Sequence, residues 1–221
     1  AVVNVEGTVL TGVTEGTATI TISTTGDAFI KGFTRKIDVT VTSMDTNIAT
    51  AEDLMTKLEQ NPIGEFNITA DIDLAGVKFQ PLPEFTGILH GNGHVIRNMS
   101  YNQSGQASVG LFATTRGATI EDLGFENANM VGNENVGALA GHFYGGVARR
   151  IFVMNSYIEG RDHVGSIVGN MSNNNGEPSL ITDCISDATL KTREFQVGGL
   201  CGIATGGTLQ NSLFCGTVDN N

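Results

Sequence analysis

Two pairs of side chains between residues 66 and 96 have the types and spacing that chemistry requires. His90 and His94 flank the Gly91-Asn-Gly93 turn, a spacing at which two imidazoles could share a metal ion. Asp71 and Asp73 would point to the same side of a strand, as the carboxylates of a glycan hydrolase must. No cysteine or third histidine stands nearby to complete a metal site, and turns account for both pairs more simply. We therefore predict no catalytic residue, no metal site and no cofactor.

The sequence contains none of the compact motifs that mark common enzymes. HExxH, GxSxG, the P-loop and paired CxxC are all absent. Glycines recur beside apolar positions, and their repetition favours tight bends and close stacking over a phosphate-binding loop. We expect a non-enzymatic protein. The rival is a β-helix enzyme that processes glycans, which would need a cleft where Asp, Glu and Arg side chains converge.

The composition favours a stacked β architecture and excludes two classes of partner. Of 221 residues, 40% are hydrophobic, while 29 glycines, 6% aromatics and no tryptophan keep the side chains small. The formal net charge of −11 would repel nucleic acid and anionic membranes, and no apolar run is long enough to span a bilayer. Cys184, Cys201 and Cys215 form no CxxC pair, so we expect free, mostly buried thiols, with a disulfide as the alternative.

Residues 1–43 contain two short segments with the pattern of β-strands. Segments 17–22 and 37–42 alternate with period two and are rich in β-branched residues, which predicts two half-buried strands with a turn near Gly26. Together with Gly12-Val-Thr-Glu-Gly16 they are similar to the C-terminal half of a bacterial Ig-like group 2 domain. The resemblance implies a β-sandwich with more strands upstream. The alternative is a short hairpin that leans on its neighbour.

An internal repeat predicts that residues 44–221 form a solenoid. Val-Gly pairs begin near residues 109, 136, 164 and 197, at spacings of 27, 28 and 33 residues, and the last interval contains an insertion. At ~3.3 Å per residue, one repeat makes one circuit of about three short strands and three turns. A short amphipathic helix over residues 50–60, with capping-box spacing at Thr50 and Asp53, is expected to cover the open end.

The repeat resembles the GLUG motif of bacterial adhesins and of the non-catalytic regions of some immunoglobulin A peptidases. Val197–Val218 follows the pattern V-G-G-L-x-G-x-x-x-G-G-x-I-x-N-C-x-x-x-G-x-V closely, whereas the copy at Val109 lacks the second glycine pair. Phe66–Leu74 and Phe85–Ile96 are similar to the segment that commonly precedes such repeats, with His90 where the family usually has Asp. The resemblance implies an all-β, right-handed parallel β-helix on an extracellular protein of the bacterial cell surface.

The repeat spacing also predicts which side chains point inward. Two columns should face the core: Leu123, Ile151, Cys184 and Ser212, and Phe125, Val153, Ser186 and Phe214. The column between them should face outward, either covered by another segment or free as a binding face: Gly124, Phe152, Ile185 and Leu213. Charged residues align beside it and predict a ladder of ion pairs: Asp122, Arg150 and Asp183, and Glu121 with Arg149.

The candidate ligand patch consists of aromatic and basic residues within one coil: Tyr144, Arg149, Arg150, Phe152, Tyr157 and Arg161. Exposed aromatics beside cations suit a carbohydrate-binding role. We expect adhesion to a host or dietary glycan or to a cell-surface protein, with the Ig-like part as a spacer, and a purely structural stalk is the other alternative. The last predicted strand, 216–218, has no cap, so we also expect further domains of the same parent chain.

Overall fold

The computed structural model describes residues 3–6, 9–12, 16–24, 32–41 and 45–219, within two compact units divided between Asp45 and Thr46. The first unit contains β1 (Val3–Glu6), β2 (Val9–Gly12), β3 (Gly16–Thr24) and β4 (Phe33–Val41). β1 pairs with β2 and β3 pairs with β4, both antiparallel. The predicted strands fall in β3 and β4, apart from residue 42. That residue and the predicted turn at Gly26 lie outside the described residues.

The second unit begins with β5 (Asn47–Ile48) and the helix α1 (Ala51–Gln60). Thr50 caps the helix, since its Oγ1 accepts a hydrogen bond from the backbone N–H of Asp53 at 3.1 Å. Leu54 and Leu58 lie one turn apart and are buried, so an apolar stripe packs α1 against the solenoid. Within the described residues, no helix combines the length and the apolar character needed to cross a membrane.

The strands of the solenoid follow one another coil by coil. The first two coils contain β6 (Glu65–Ile68), β7 (Ile72–Asp73), β8 (Leu82–Phe85), β9 (Ile88–His90), β10 (Val95–Arg97), β11 (Ser100–Asn102) and β12 (Phe112–Arg116). The next two contain β13 (Thr119–Glu126), β14 (Asn129–Val131), β15 (Glu134–Val136), β16 (Ala140–Tyr144), β17 (Gly146–Met154), β18 (Tyr157–Gly160), β19 (Asp162–Gly165) and β20 (Val168–Ser172). The last strands are β21 (Ser179–Thr182), β22 (Ile185–Ser186), β23 (Thr189–Thr192), β24 (Val197–Gly198), β25 (Cys201–Ala204), β26 (Thr208–Gln210), β27 (Leu213–Phe214) and β28 (Thr217–Asp219).

These strands stack into four parallel sheets, so the unit is an all-β parallel solenoid of about five turns. Sheet 1 contains β5, β6, β7, β9, β10, β13, β17, β21, β22, β26 and β27. Sheet 2 contains β11, β14, β18, β23 and β28, sheet 3 contains β15, β19 and β24, and sheet 4 contains β8, β12, β16, β20 and β25. Each turn therefore adds one residue to each column of like side chains, at a spacing of ~4.8 Å.

The core is built from the two predicted inward columns. Leu123 on β13 pairs with Ile151 on β17, both are fully buried, and Cys184 continues the column at 2% exposure. The second column, from Phe125 to Ser186, is buried as well, which confirms the predicted register. Burial of each such aliphatic or aromatic side chain stabilises the fold by ~1.5–3 kcal/mol. The disulfide alternative is wrong, because all three cysteines are free thiols.

The repeated glycines are places where the backbones of neighbouring segments touch. A Cβ atom on Gly169 would lie 2.3 Å from the carbonyl carbon of Asn135. Gly141 and Gly202 occupy the equivalent position in the neighbouring coils, because the residues before all three glycines pair with one another in sheet 4. A Cβ atom on Gly141 or Gly202 would lie within 2.5 Å of another backbone atom. The glycine in each repeat is therefore a packing requirement that any side chain would violate.

Candidate functional site

The six residues of the predicted ligand patch do not lie together, because one coil carries consecutive segments to different sheets. Three of them lie on β17 in sheet 1: Arg149, Arg150 and Phe152. Tyr144 ends β16 in sheet 4, Tyr157 begins β18 in sheet 2, and Arg161 follows that strand. The structure thus separates the predicted patch, and only the β17 residues share one sheet.

The separated residues are engaged by local partners. The Tyr144 ring stacks on His142, with 5.2 Å between the ring centroids. The Tyr157 hydroxyl donates a hydrogen bond to Glu159 at 2.6 Å, and burial together with that carboxylate raises the pKa of Tyr157 to about 12. Arg161 pairs with a carboxylate of the preceding coil. These contacts stabilise the coil, and of the predicted patch only the residues on sheet 1 remain as a candidate site.

The outer face of sheet 1 carries one column of apolar residues, in the predicted register. Parallel pairing aligns Val95, Gly124, Phe152, Ile185 and Leu213 in successive coils. We call these five residues the apolar column. Phe152 is 42% exposed and Leu213 is 54% exposed. At ~4.8 Å per coil the column is about 19 Å long. Val95 and Ile185 are partly exposed and Gly124 is buried, so the exposed apolar surface of the column comes mainly from Phe152 and Leu213.

Gly124 leaves a notch in the apolar column. The notch is a cavity of about 270 Å³, and Gly124, Val95, Phe152, Met154 and Glu126 are among its lining residues. A Cβ atom on Gly124 would already lie 3.0 Å from a methyl group of Val95, so the absence of a side chain creates the space. Pockets for drug-sized ligands have volumes of ~300–1,000 Å³. The notch therefore fits one side chain or one ring of a larger partner.

Ion pairs border the apolar column where Arg149 meets Glu121 and Arg150 meets Asp122, but the predicted third rung, Asp183, pairs with no cation among the described residues. Glu121 is only 7% exposed and accepts hydrogen bonds from His90 at 2.6 Å, from Arg149 Nε at 2.5 Å and from Arg150 at 3.1 Å. Burial raises the pKa of Glu121, but the bonds from Arg149 and His90 outweigh that effect and leave the pKa below its ordinary value. The carboxylate is therefore ionised at neutral pH and satisfied by three donors.

Arg150 holds an uncommon backbone conformation in this ladder. Its φ is 52°, in the left-handed region, and Asp122, Asp183 and Asn211 at the same position of other coils have φ values of 54°, 58° and 49°. Asn and Asp adopt this region readily, whereas an arginine there is uncommon. The guanidinium makes a bidentate pair with Asp122, at 2.5 and 2.7 Å, which lowers the pKa of that carboxyl group. Because four coils share this conformation, it belongs to the bend of the coil.

The aspartates that could have formed a catalytic pair are bonded to their neighbours. Asp71 accepts hydrogen bonds from Arg97 at 2.8 Å and contacts His94 at 3.2 Å, and Asp73 accepts one from Asn98 at 2.7 Å. The bond from Arg97 lowers the pKa of Asp71, and the bond from Asn98 lowers that of Asp73. In the part of the chain that the structure describes, no group of three or more His, Cys, Asp or Glu side chains could hold a metal ion.

Two carboxylates of one coil have no cationic partner in the part of the chain that the structure describes. Asp183 and Asp187 lie two residues before and after Ile185. Asp183 accepts a bond from the Thr182 hydroxyl at 2.9 Å, and Asp187 accepts one from the backbone N–H of Asn155 at 2.6 Å. Neither forms an ion pair with any described residue. Negative charge therefore remains on both sides of the apolar column at this coil.

Sequence reasoning missed Val95, Glu126 and Asp187 as parts of this face. Val95 follows the turn at residues 91–93, which interrupts the sheet between β9 and β10, and it precedes the first Val-Gly repeat at residue 109. The repeat pattern therefore did not include it. Its spacing of 29 residues from Gly124 was the available signal. Glu126 and Asp187 each lie two residues beyond an outward position, so strand alternation could have placed them on the same face.

The stacked coils and the buried ladders together define a class: an all-β parallel solenoid. The model of the family described as the M26 IgA1-specific metallo-endopeptidase N-terminal region matches residues 6–153. The match covers more than half of the chain, and the chain belongs to this family.

Individual relatives are much longer than this chain. It is 30% identical over 178 residues to halomucin of Haloquadratum walsbyi, a match that covers 69% of this chain and 2% of the relative. It is 24% identical over 184 residues to an immunoglobulin A1 protease of Streptococcus pneumoniae, covering 80% of this chain and 9% of the protease. The chain thus spans less than a tenth of the length of these curated relatives. No solved structure matches it.

Proposed function

We propose that this chain is a non-catalytic module of a larger extracellular protein and that it binds a partner through the outer face of sheet 1. The observation that carries the proposal is the apolar column, where Phe152 and Leu213 remain 42% and 54% exposed beside charged borders. Protein interfaces commonly combine an apolar centre with a polar rim, and aromatic residues at the centre contribute much of the binding energy. Adhesion to a cell-surface protein or to a glycan is the function of such a face.

Family membership supports a module without catalysis and an extracellular location. The family is described as the N-terminal region of an endopeptidase, and 9% of the protease leaves room for a catalytic part elsewhere in that relative. The relative's name refers to immunoglobulin A1, a secreted antibody, which favours a protein that acts outside the cell. A bacterial cell surface is our assignment. The net charge of −11 argues against nucleic acid as the partner.

Three finer assignments belong to the same proposal. The coils are GLUG-type repeats and wind right-handed, as connections between parallel strands almost always do. The helix α1 covers one end of the core with Leu54 and Leu58, which are both buried. The strands β1 to β4 belong to an Ig-like domain that acts as a spacer toward the rest of the parent protein.

Binding arrays test the proposal. The wild-type chain and Phe152→Ser are applied to a glycan array and to an array of secreted and cell-surface proteins. Phe195→Ser is the matched control, because Phe195 is 65% exposed but lies between β23 and β24, outside sheet 1. Binding that is lost in Phe152→Ser and kept in Phe195→Ser supports the proposal. Equal binding by all three proteins would place the binding surface outside the apolar column, and binding by none would favour a structural stalk.

A further inference from the structure

We infer that the apolar column binds a basic protein segment, in which an aliphatic or aromatic side chain is accompanied by lysine or arginine. The inference rests on the proposed binding face and adds the chemistry of its ligand. Three features carry it: the notch at Gly124, the two carboxylates beside Ile185, and the charge of the chain. Each feature excludes a different alternative occupant.

The notch favours a protein side chain over a sugar ring. Val95, Phe152 and Met154 line it, and its one ionised side chain, Glu126, already accepts a hydrogen bond from Arg97 at 2.8 Å. A sugar ring needs several directed hydrogen bonds, and hydroxyl groups buried without them are strongly unfavourable. A leucine or phenylalanine side chain has no polar group to satisfy and gains from burial alone.

The carboxylates beside Ile185 favour a cationic partner. Asp183 and Asp187 flank this apolar residue on one coil, and among the described residues their hydrogen-bond donors are a hydroxyl and a backbone N–H, both neutral. The notch at Gly124 lies two coils away, ~10 Å along the column. A lysine or arginine next to an apolar anchor spans that distance with its long side chain. One partner segment can therefore fill the notch with its apolar side chain and pair its cation with the carboxylates of Asp183 and Asp187.

Neighbouring coils do not supply the missing cation. Asp122, Arg150 and Asp183 occupy the same position in three successive coils. Arg150 makes its bonds of 2.5 and 2.7 Å to Asp122, the earlier of the two carboxylates. On the following coil, Asn211 aligns with Asp183 and Cys215 aligns with Asp187. The ion pairs thus end before the coil of Asp183, one coil before Leu213, the most exposed residue of the apolar column, and a basic partner continues them.

The net charge distinguishes a basic partner from a second copy of this chain. Two copies, each with a formal charge of −11, repel one another, and face-to-face contact would bring their unpaired carboxylates together. A basic segment is attracted by the same field. Salt therefore has opposite effects: it weakens the binding of a basic segment and promotes self-association.

The experiment is a titration of the isotope-labelled whole chain with short peptides, followed by NMR shifts of its backbone amides. The probe is Ac-Lys-Thr-Phe-Thr-Lys-NH2, and the controls are Ac-Glu-Thr-Phe-Thr-Glu-NH2 and Ac-Lys-Thr-Ser-Thr-Lys-NH2. We expect saturable shifts at Gly124, Phe152 and Ile185, with the basic aromatic probe binding at least fivefold more tightly than either control. Raising the salt concentration reduces this preference over the acidic peptide. Equal binding of the basic and acidic peptides would overturn the inference.

A charge variant separates this inference from the proposed function. Asp183→Asn combined with Asp187→Asn should weaken binding of the basic probe about tenfold, as expected for the loss of two exposed ion pairs. Glu52→Gln combined with Glu59→Gln, on the exposed side of α1, removes the same charge elsewhere and should change binding less than twofold. If both double variants bind alike, the inference fails. The proposed function fails only if the array result does not depend on Phe152.

Discussion

Replacement of Gly169 by alanine tests whether the repeated glycines set the distance between packed segments. The new Cβ atom would lie 2.3 Å from the carbonyl carbon of Asn135 and 2.4 Å from the backbone nitrogen of Val136. Ordinary van der Waals contact begins at 3.4 Å, so the two backbones must separate by about 1 Å. Because both obstacles belong to the backbone, rotation of a side chain cannot relieve the clash.

The expected cost follows from three contributions. Overpacking of a dense interior costs ~1–3 kcal/mol, and each hydrogen bond that the separation breaks adds ~1 kcal/mol. Alanine restricts the unfolded chain more than glycine does, which returns ~0.4–1 kcal/mol. The net loss in the free energy of unfolding is therefore ~2–3 kcal/mol. With a urea dependence of ~1–3 kcal/mol per molar, the unfolding midpoint falls by about 1 M.

Urea unfolding followed by circular dichroism measures this loss. Gly105→Ala is the control, because no atom lies within 4 Å of a Cβ at that position and its φ is not in the left-handed region. The control should stay within ~0.5 kcal/mol of the wild type. If Gly169→Ala unfolds at the same urea concentration as Gly105→Ala, close backbone approach does not explain the glycine of the repeat.

Burial and charge predict three other outcomes. Glu121→Gln should cost ~1–3 kcal/mol at pH 7 in urea unfolding, against under ~1 kcal/mol for the exposed Glu84→Gln. The folded pKa of Glu121 lies below its ordinary value of 4.5, so its contribution to stability is full above pH 4.5 and should fade as the pH drops through the folded pKa. A stability difference between wild type and Glu121→Gln that stays constant from pH 6 to pH 3 would contradict this. Iodoacetamide should label the exposed Cys215 and spare Cys184, whose pKa burial raises, so equal labelling by mass spectrometry would refute the assigned burial. Leu123→Ala should lose ~2–5 kcal/mol in urea unfolding, and a loss under ~1 kcal/mol would mean that the inward column is not packed.

The register of the coils could be predicted because each coil is stacked directly on the one before it. Alignment on Ile120, Ala148 and Ile181 reproduces the pairing of β13, β17 and β21. Side chains alternate between the two faces of a strand, so an error of one residue would have exchanged every inward and outward column. Leu123 and Phe152 consequently lie on the predicted faces, one fully buried and the other 42% exposed.

The composition of the candidate site was harder to predict, because the corners of a coil leave a weak signal. Tyr144 and Phe152 are only eight residues apart, yet they lie on sheets 4 and 1. Bends occur at residues with positive φ, and at Arg150 and His163 the residue type gives no indication of that conformation. Residues that are close in the sequence therefore lie on several faces of the solenoid, whereas residues of one column lie on a single face.

A binding face on a solenoid can change one coil at a time, because each outward row is contributed by a single turn. At Gly124 the absence of a side chain opens a notch, while the inward neighbours Leu123 and Phe125 remain fully buried. Two coils later, Asp183 and Asp187 leave negative charge beside the column without disturbing the buried Cys184 between them. Shape and charge are thus set on the outer face independently of the core. The inward columns have no such freedom, since a change in volume there alters packing against the coils on both sides. For this reason the departures from the repeat on the outward face, rather than the repeat itself, carry the information about the partner.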